Sequence, residues 1–145
     1  MVLKKNPTIV VVGSTMIDMI TYSQKIPNSG ETVIGDSFSL GFGGKGANQA
    51  VMAARLGAKV HMINTVGNDV FGESTIKNFK EQGVDTSFIS QVSMASGVAP
   101  IWVEPDGTNR IICVPGANNE MRADQVEEAL KSIGEFSILI GQLEI

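Results

Sequence analysis

The chain has 145 residues, 43% hydrophobic and 18% charged, which is enough for one domain with its own core and short for a two-lobed enzyme. That balance argues against disorder, and no apolar run approaches the roughly 20 residues that a membrane-spanning helix needs. The net charge is −4 and the eleven Lys and Arg are scattered rather than clustered, which argues against a nucleic-acid surface.

The N-terminus, MVLKKNPTIVVVG, starts with charge, but its apolar stretch is too short for a signal peptide and no small-residue cleavage site follows. The single cysteine, Cys113, cannot form an internal disulfide, and its place in the apolar run IICV reads as a buried, reduced thiol. Together these features indicate a cytoplasmic protein. Thr8 to Gly13 is a continuous β-branched run, as in a strand buried on both faces of a parallel sheet. Lys45 to Leu56 is alanine-rich and reads as a helix stopped by Gly57. Lys59 to Val66 reads as a second buried strand. Asp69 can cap a helix from Val70 to Gln82, with Ile76 and Phe79 on one face and Gly83 as its stop. Phe88 to Val92 reads as a short strand, and Ala123 to Ile133 as a helix whose core face carries Val126, Leu130 and Ile133. Phe136 to Leu143 reads as a third buried strand. Alternating strands and helices predict an α/β fold: a parallel sheet with helices on both faces.

Two stretches break that rhythm. Residues 17–42 lack a helical period and suggest two extended segments around the turn IPNSG. Residues 97–114 read as a hairpin, GVAPIWV and NRIICV around Asp106-Gly107. These segments are expected to form a small β lid over the carboxyl ends of the parallel strands, where open α/β sheets bind ligands.

Gly41 to Gly46, GFGGKG, contains G-x-G-x-x-G, but the acidic residue that a dinucleotide site wants about 20 positions on is missing, and the glycines do not follow the first core strand. Lys45 is followed by Gly46 rather than Ser or Thr, which disfavours a P-loop. Glycines 43, 44 and 46 instead let backbone approach a ligand at a helix start, flanked by the donors of Lys45 and Asn48. Asp18, just past the first core strand, and Glu144, after the last, fall at the same sheet end and could accept hydroxyl hydrogen bonds. Such a set suits a polyhydroxyl ligand.

The run GFGGKGANQAVMAARLGAKVHMINTVGNDVFGE resembles the first signature of the ribokinase (PfkB) family of carbohydrate kinases, with Gly44, Asn48, Ala50, Gly57 and Gly67 in matching spacing. GSTMID, GETVIGDSF, the GAN at 116–118 and the closing QLE are similar to the family too, so the likeness covers essentially the whole chain. It implies a ribokinase-like fold in which Asp18, Gly44, Lys45, Asn48 and Glu144 hold sugar hydroxyls and Ala99, Ile101 and Ile111 of the lid pack on the sugar's apolar face. Residues 99 and 101 share a strand face by the two-residue period. Many bacterial members carry Asn where this chain has Met16, which is similar to animal-type members instead. The resemblance implies that the complete protein transfers the γ-phosphate of ATP to the 5-hydroxyl of D-ribose with Mg2+ and a monovalent cation such as K+, as a homodimer joined through its lids. Fructokinase, adenosine kinase and a non-catalytic sugar-binding module are the alternatives.

The family's second signature, a DTxGAGD-like loop with the catalytic aspartate, has no match here. Residues 1–145 therefore read as an incomplete domain, truncated before the nucleotide-binding half and inactive alone, with no catalytic or metal-binding residue of their own. His61 reads as a packed strand residue and Ser74 to Lys77 as a chance S-x-x-K match. Trp102 alternates outward on the lid and marks a lid–lid contact.

Overall fold

The β-branched run near the N-terminus forms strand β1 (Thr8–Val12) in a computed structural model that describes residues 6–145, so the charged start read at residues 1–5 lies outside the described residues. Its alternation serves two cores. Val11 packs with Ala47 and Ala50 of helix α1 (Lys45–Arg55), Phe79 of helix α2 (Val70–Glu81), and Val60 and Met62 of strand β4 (Lys59–Gly67). Val10 and Val12 point the other way, with Ile63, onto Ala129, Val126, Leu130 and Ile133 of helix α3 (Ala123–Ile133). Helices thus cover both faces of a parallel sheet. With β5 (Val84–Val92) and β8 (Ile138–Gly141), its strand order is β5-β4-β1-β8.

The segments that broke the periodicity form a second sheet, ordered β3-β2-β6-β7, from β2 (Met16–Tyr22), β3 (Ser37–Gly43), β6 (Val98–Val103) and β7 (Asn109–Ile111). The β6–β7 pair is antiparallel and turns where Asp106-Gly107 predicts, with Gly107 N–H donating to the Glu104 carbonyl at 2.9 Å. The β2–β6 pair is parallel. No helix among the described residues is long and apolar enough to cross a membrane.

Several expectations are corrected. Strand β5 begins at Val84 rather than Phe88, because Gly83, at φ 77, turns the chain directly from α2 into the sheet. A bulge between His61 and Ile63 absorbs the polar run Asp85-Thr86-Ser87 that hid the strand start, with Asp85 accepting from the Ser87 N–H and hydroxyl. His61 is buried there, near Phe88 and 3.0 Å from Asp85 without the alignment of a hydrogen bond. The last strand is shorter than residues 136–143, spanning Ile138–Gly141. Among the described residues it pairs with β1, and Ile138 and Leu139 are exposed. Cys113 is exposed as well, since it lies beyond β7, where only the Val98–Val114 bridge continues the ladder. Trp102 is half-buried rather than outward, lining a cleft with Thr21, Lys25 and Glu31.

Asp69 caps α2 as predicted, accepting from Gly72 N–H at 2.8 Å, and also accepts from the Ser96 N–H and hydroxyl at 2.8 and 2.7 Å. Burial alone would raise its carboxyl pKa, but the hydrogen bonds from Ser96, Gly72 and Phe71 outweigh burial and hold it below the ordinary aspartate range. A depressed folded-state value means stabilisation that is present at neutral pH and lost as pH falls through that lower value. Asp69→Ala is therefore expected to cost about 1–3 kcal/mol in urea unfolding at pH 7. The difference from wild type should shrink in acid; a difference independent of pH would contradict this.

Candidate functional site

Three residues, Gly13 to Thr15, carry the chain from the parallel sheet into the second sheet. They are buried and belong to no ladder, so their backbone groups need partners from elsewhere. Each group finds one. Gly13 N–H donates to the Ile63 carbonyl at 3.4 Å, and the Gly13 carbonyl accepts from Asn64 Nδ2 at 2.7 Å. Ser14 N–H and its hydroxyl both donate to Gln142 Oε1, at 2.9 and 2.8 Å, while the Ser14 carbonyl accepts from Ala47 N–H at 2.9 Å. Thr15 N–H donates to Asn118 Oδ1 and its carbonyl accepts from Asn118 Nδ2, both at 2.9 Å.

This link lies at the carboxyl ends of β1 and β8. The chain moves from β1 to β4 on one side and returns to β8 on the other, so the β1/β8 boundary is the switch point of the sheet. Open α/β sheets bind ligands in such crevices.

The glycine run comes against the same link, for a reason the sequence reading did not contain. A Cβ on Gly46 would lie 2.6 Å from the Gly13 carbonyl carbon, and one on Gly44 2.6 Å from Thr15 Cα. Gly44 is the N-cap of α1 at φ 92, and no side chain caps the helix, so Asn48 does not do so. The glycines at 44 and 46 thus admit the protein's own backbone, and the Ala47 amide is already engaged by Ser14.

Asp18 lies within β2 rather than in a loop after β1. A Cβ on Gly43 would fall 2.4 Å from both carboxylate oxygens, so the missing side chain is what makes room for the charge. No side-chain hydrogen bond among the described residues engages that carboxylate, and burial raises its pKa above the ordinary aspartate value. Lys45 and Glu144 are brought together as an ion pair. Asn48, exposed in the first turn of α1, also lines a groove with Phe42, Val51, Arg55, Asn78 and Gln82. On the second sheet, register pairs Asp18 with Ala99, Ile20 with Ile101, and Ile101 with Ile111. One face therefore carries Asp18, Ala99, Ile101 and Ile111, with Ala99 buried and Ile111 exposed. Met16 is buried, its sulfur 3.9 Å from Asn118 Nδ2. Asn64 and Gln142 were not singled out from sequence. The signal there is a polar residue within an apolar strand for Asn64, and the family-like QLE for Gln142.

A family model described as pfkB family carbohydrate kinase matches residues 6–140. Among curated relatives, a deoxyribokinase of Salmonella typhi is 41% identical over 138 residues, covering 94% of this chain and 45% of its own. A mouse ribokinase is 44% identical over 138 residues, covering 94% of this chain and 43% of its own. The chain thus spans less than half the length of these relatives. A solved structure described as Arabidopsis thaliana ribokinase complexed with ribose and ATP matches with a TM-score of 0.82 and 30% identity, over 97% of this chain and 46% of that one.

The raised carboxyl of Asp18 carries a sign that can be tested. A folded-state pKa above the unfolded one means that ionisation opposes folding, fully at neutral pH and not at all below the unfolded value. Asp18→Asn keeps the shape and removes the charge. It should raise the melting temperature at pH 7, and the gap should close as pH falls into the ordinary aspartate range. An Asn variant that melts below wild type at pH 7 would contradict the burial argument.

Proposed function

The chain belongs to the pfkB family of carbohydrate kinases, and on that premise we propose that it carries the sugar-holding part of a kinase that moves the γ-phosphate of ATP onto the 5-hydroxyl of D-ribose. One observation supports this reading above the others: an ionisable carboxylate, Asp18, is seated over Gly43 on β2, three residues beyond the link at the switch point, with no side-chain hydrogen bond to it among the described residues. A desolvated acceptor with unused lone pairs favours a ligand rich in hydroxyl donors. Lys45, Glu144, Asn48 and the Gly44 backbone would complete the polar grip, and Ala99, Ile101 and Ile111 would form an apolar cover on the second sheet, the lid of this reading.

Among the described residues no three His, Cys, Asp or Glu side chains group as metal ligands. ATP, Mg2+ and a monovalent cation such as K+ belong to the proposal for the whole protein, as does the base that takes the proton from the 5-hydroxyl. The chain's own part is to bind and orient the acceptor, which is a large share of phosphoryl-transfer catalysis. A cytoplasmic homodimer joined through the lids belongs to the same proposal. Phe38, Leu40 and Phe42 alternate along β3 on the face opposite Asp18 and all are exposed, an apolar surface that suits a second copy.

Met16 favours a second reading. A buried thioether in place of an amide offers no partner to one of the ring hydroxyls, and the Salmonella relative is a deoxyribokinase. 2-Deoxyribose is accordingly the competing acceptor.

Calorimetry of the chain against ribose, 2-deoxyribose, fructose and adenosine should rank ribose first, with no ADP released from ATP by these residues alone. Asp18→Asn is expected to weaken ribose binding by about 2–4 kcal/mol, the loss of a half-buried charged acceptor. Equal affinity in wild type and variant would remove Asp18 from the site, and preference for 2-deoxyribose would establish the second reading. Leu40→Glu should convert a dimer into a monomer in sedimentation, while a monomeric wild type would refute the lid contact.

A further inference from the structure

The Asn118 side chain is fully buried, in a short 3-10 turn (Gly116–Glu120) that precedes α3, and both of its polar atoms are engaged. Its Oδ1 accepts from Thr15 N–H at 2.9 Å and from Asn64 Nδ2 at 3.3 Å. Its Nδ2 donates to the carbonyls of Thr15 at 2.9 Å and Pro115 at 2.7 Å. Two of these bonds go to the N–H and carbonyl of a single residue, so the planar amide locks the orientation of the Thr15 backbone as a ladder partner would. A third holds Pro115, where the chain leaves the second sheet. The entry to β6 is packed on the same atoms: a Cβ on Gly97 would lie 2.5 Å from Asn118 Nδ2, and the Gly97 carbonyl accepts from Ile17 N–H at 2.9 Å.

One amide therefore ties together three of the four places where the chain passes between the sheets, residues 13–15, 97 and 115. The fourth, Gly44, packs against Thr15 itself. Asp18 lies three residues beyond Thr15 on β2, where no side chain holds its carboxylate. Its place over Gly43 is set by how β2 leaves the link.

We propose that Asn118 is a positioning residue of the sugar site, holding Asp18 in register with Gly41 and Ala99, and its carboxylate over Gly43, through the Thr15 peptide. The proposal rests on the sugar reading above and adds a residue that touches no substrate. Replacing Asn118 by Asp keeps the shape but turns the two donated bonds into contacts between a carboxylate oxygen and the carbonyls of Thr15 and Pro115. Gly97→Ala leaves Asn118 in the sequence and pushes its amide from the other side.

The test compares wild type, Asn118→Asp and Gly97→Ala in three measurements: ribose affinity by calorimetry, the Asp18 carboxyl titration by carbon-13 NMR, and thermal unfolding. Ribose affinity is expected to fall by about tenfold to a hundredfold in both variants, the scale of a misplaced binding group. The Asp18 titration should move down toward the ordinary aspartate value as the carboxylate leaves its half-buried place over Gly43. A merely structural role would lower the melting temperature and leave the affinity and titration of the folded fraction unchanged; that result overturns the proposal. If Asn118→Asp does not fold, Gly97→Ala decides by the same two readouts. A wild type that binds no pentose, with the Asp18 titration still moved in the variants, would remove the sugar reading and leave the positioning role standing.

Discussion

A buried backbone segment outside any helix or ladder must have its polar groups satisfied one at a time, and the link from Gly13 to Thr15 is where this chain meets that demand. The partners come from far along the sequence: Asn64 within β4, Ala47 in the first turn of α1, Asn118 before α3 and Gln142 after β8. An unmet buried group would cost about 1–3 kcal/mol, so every partner constrains where its own element can sit. The arrangement of α1, the 3-10 turn and the end of β8 around the switch point follows from this requirement. Packing of the two apolar cores sets the layers. The link sets their registration at the end where a ligand would bind.

The same geometry separates two kinds of charge. Lys45 and Glu144 are both exposed at the rim, where an ion pair contributes at most about 1 kcal/mol, so a ligand could replace that contact at little cost. Asp18 lies deeper, without a compensating donor. Stability at neutral pH would improve without its charge, and such a conflict between local stability and retained chemistry is common at functional sites.

Local signals carried much of the fold. Asp69 and Gly83 bracket α2 because a cap and a positive-φ stop act within one turn of chain, and Asp106-Gly107 marks its hairpin for the same reason. Signals failed where the deciding partner was remote. Cys113 sits in an apolar run that leaves the ladder. The glycines at 44 and 46 were readable as close approach of backbone, though not that the approaching group is the protein's own link. Asn64, Asn118 and Gln142 were invisible as a set, since Ser14 and Gln142 meet across 128 positions.

The parallel pairing of β2 with β6 also governs how the molecule assembles. Ile17 is aligned with Val98, so the central pair of the second sheet joins residues separated by most of the parallel layer. The β6–β7 hairpin can form locally, but its junction with β2 requires closure of a long loop, whose entropy cost must be met before any ladder bond repays it. That loop shortens only when β1, α1, β4, α2 and β5 have condensed. The seam between β2 and β6 is therefore expected to close late, on a scaffold already condensed, whereas the β2–β3 pair that carries Phe38, Leu40 and Phe42 joins neighbouring segments of chain.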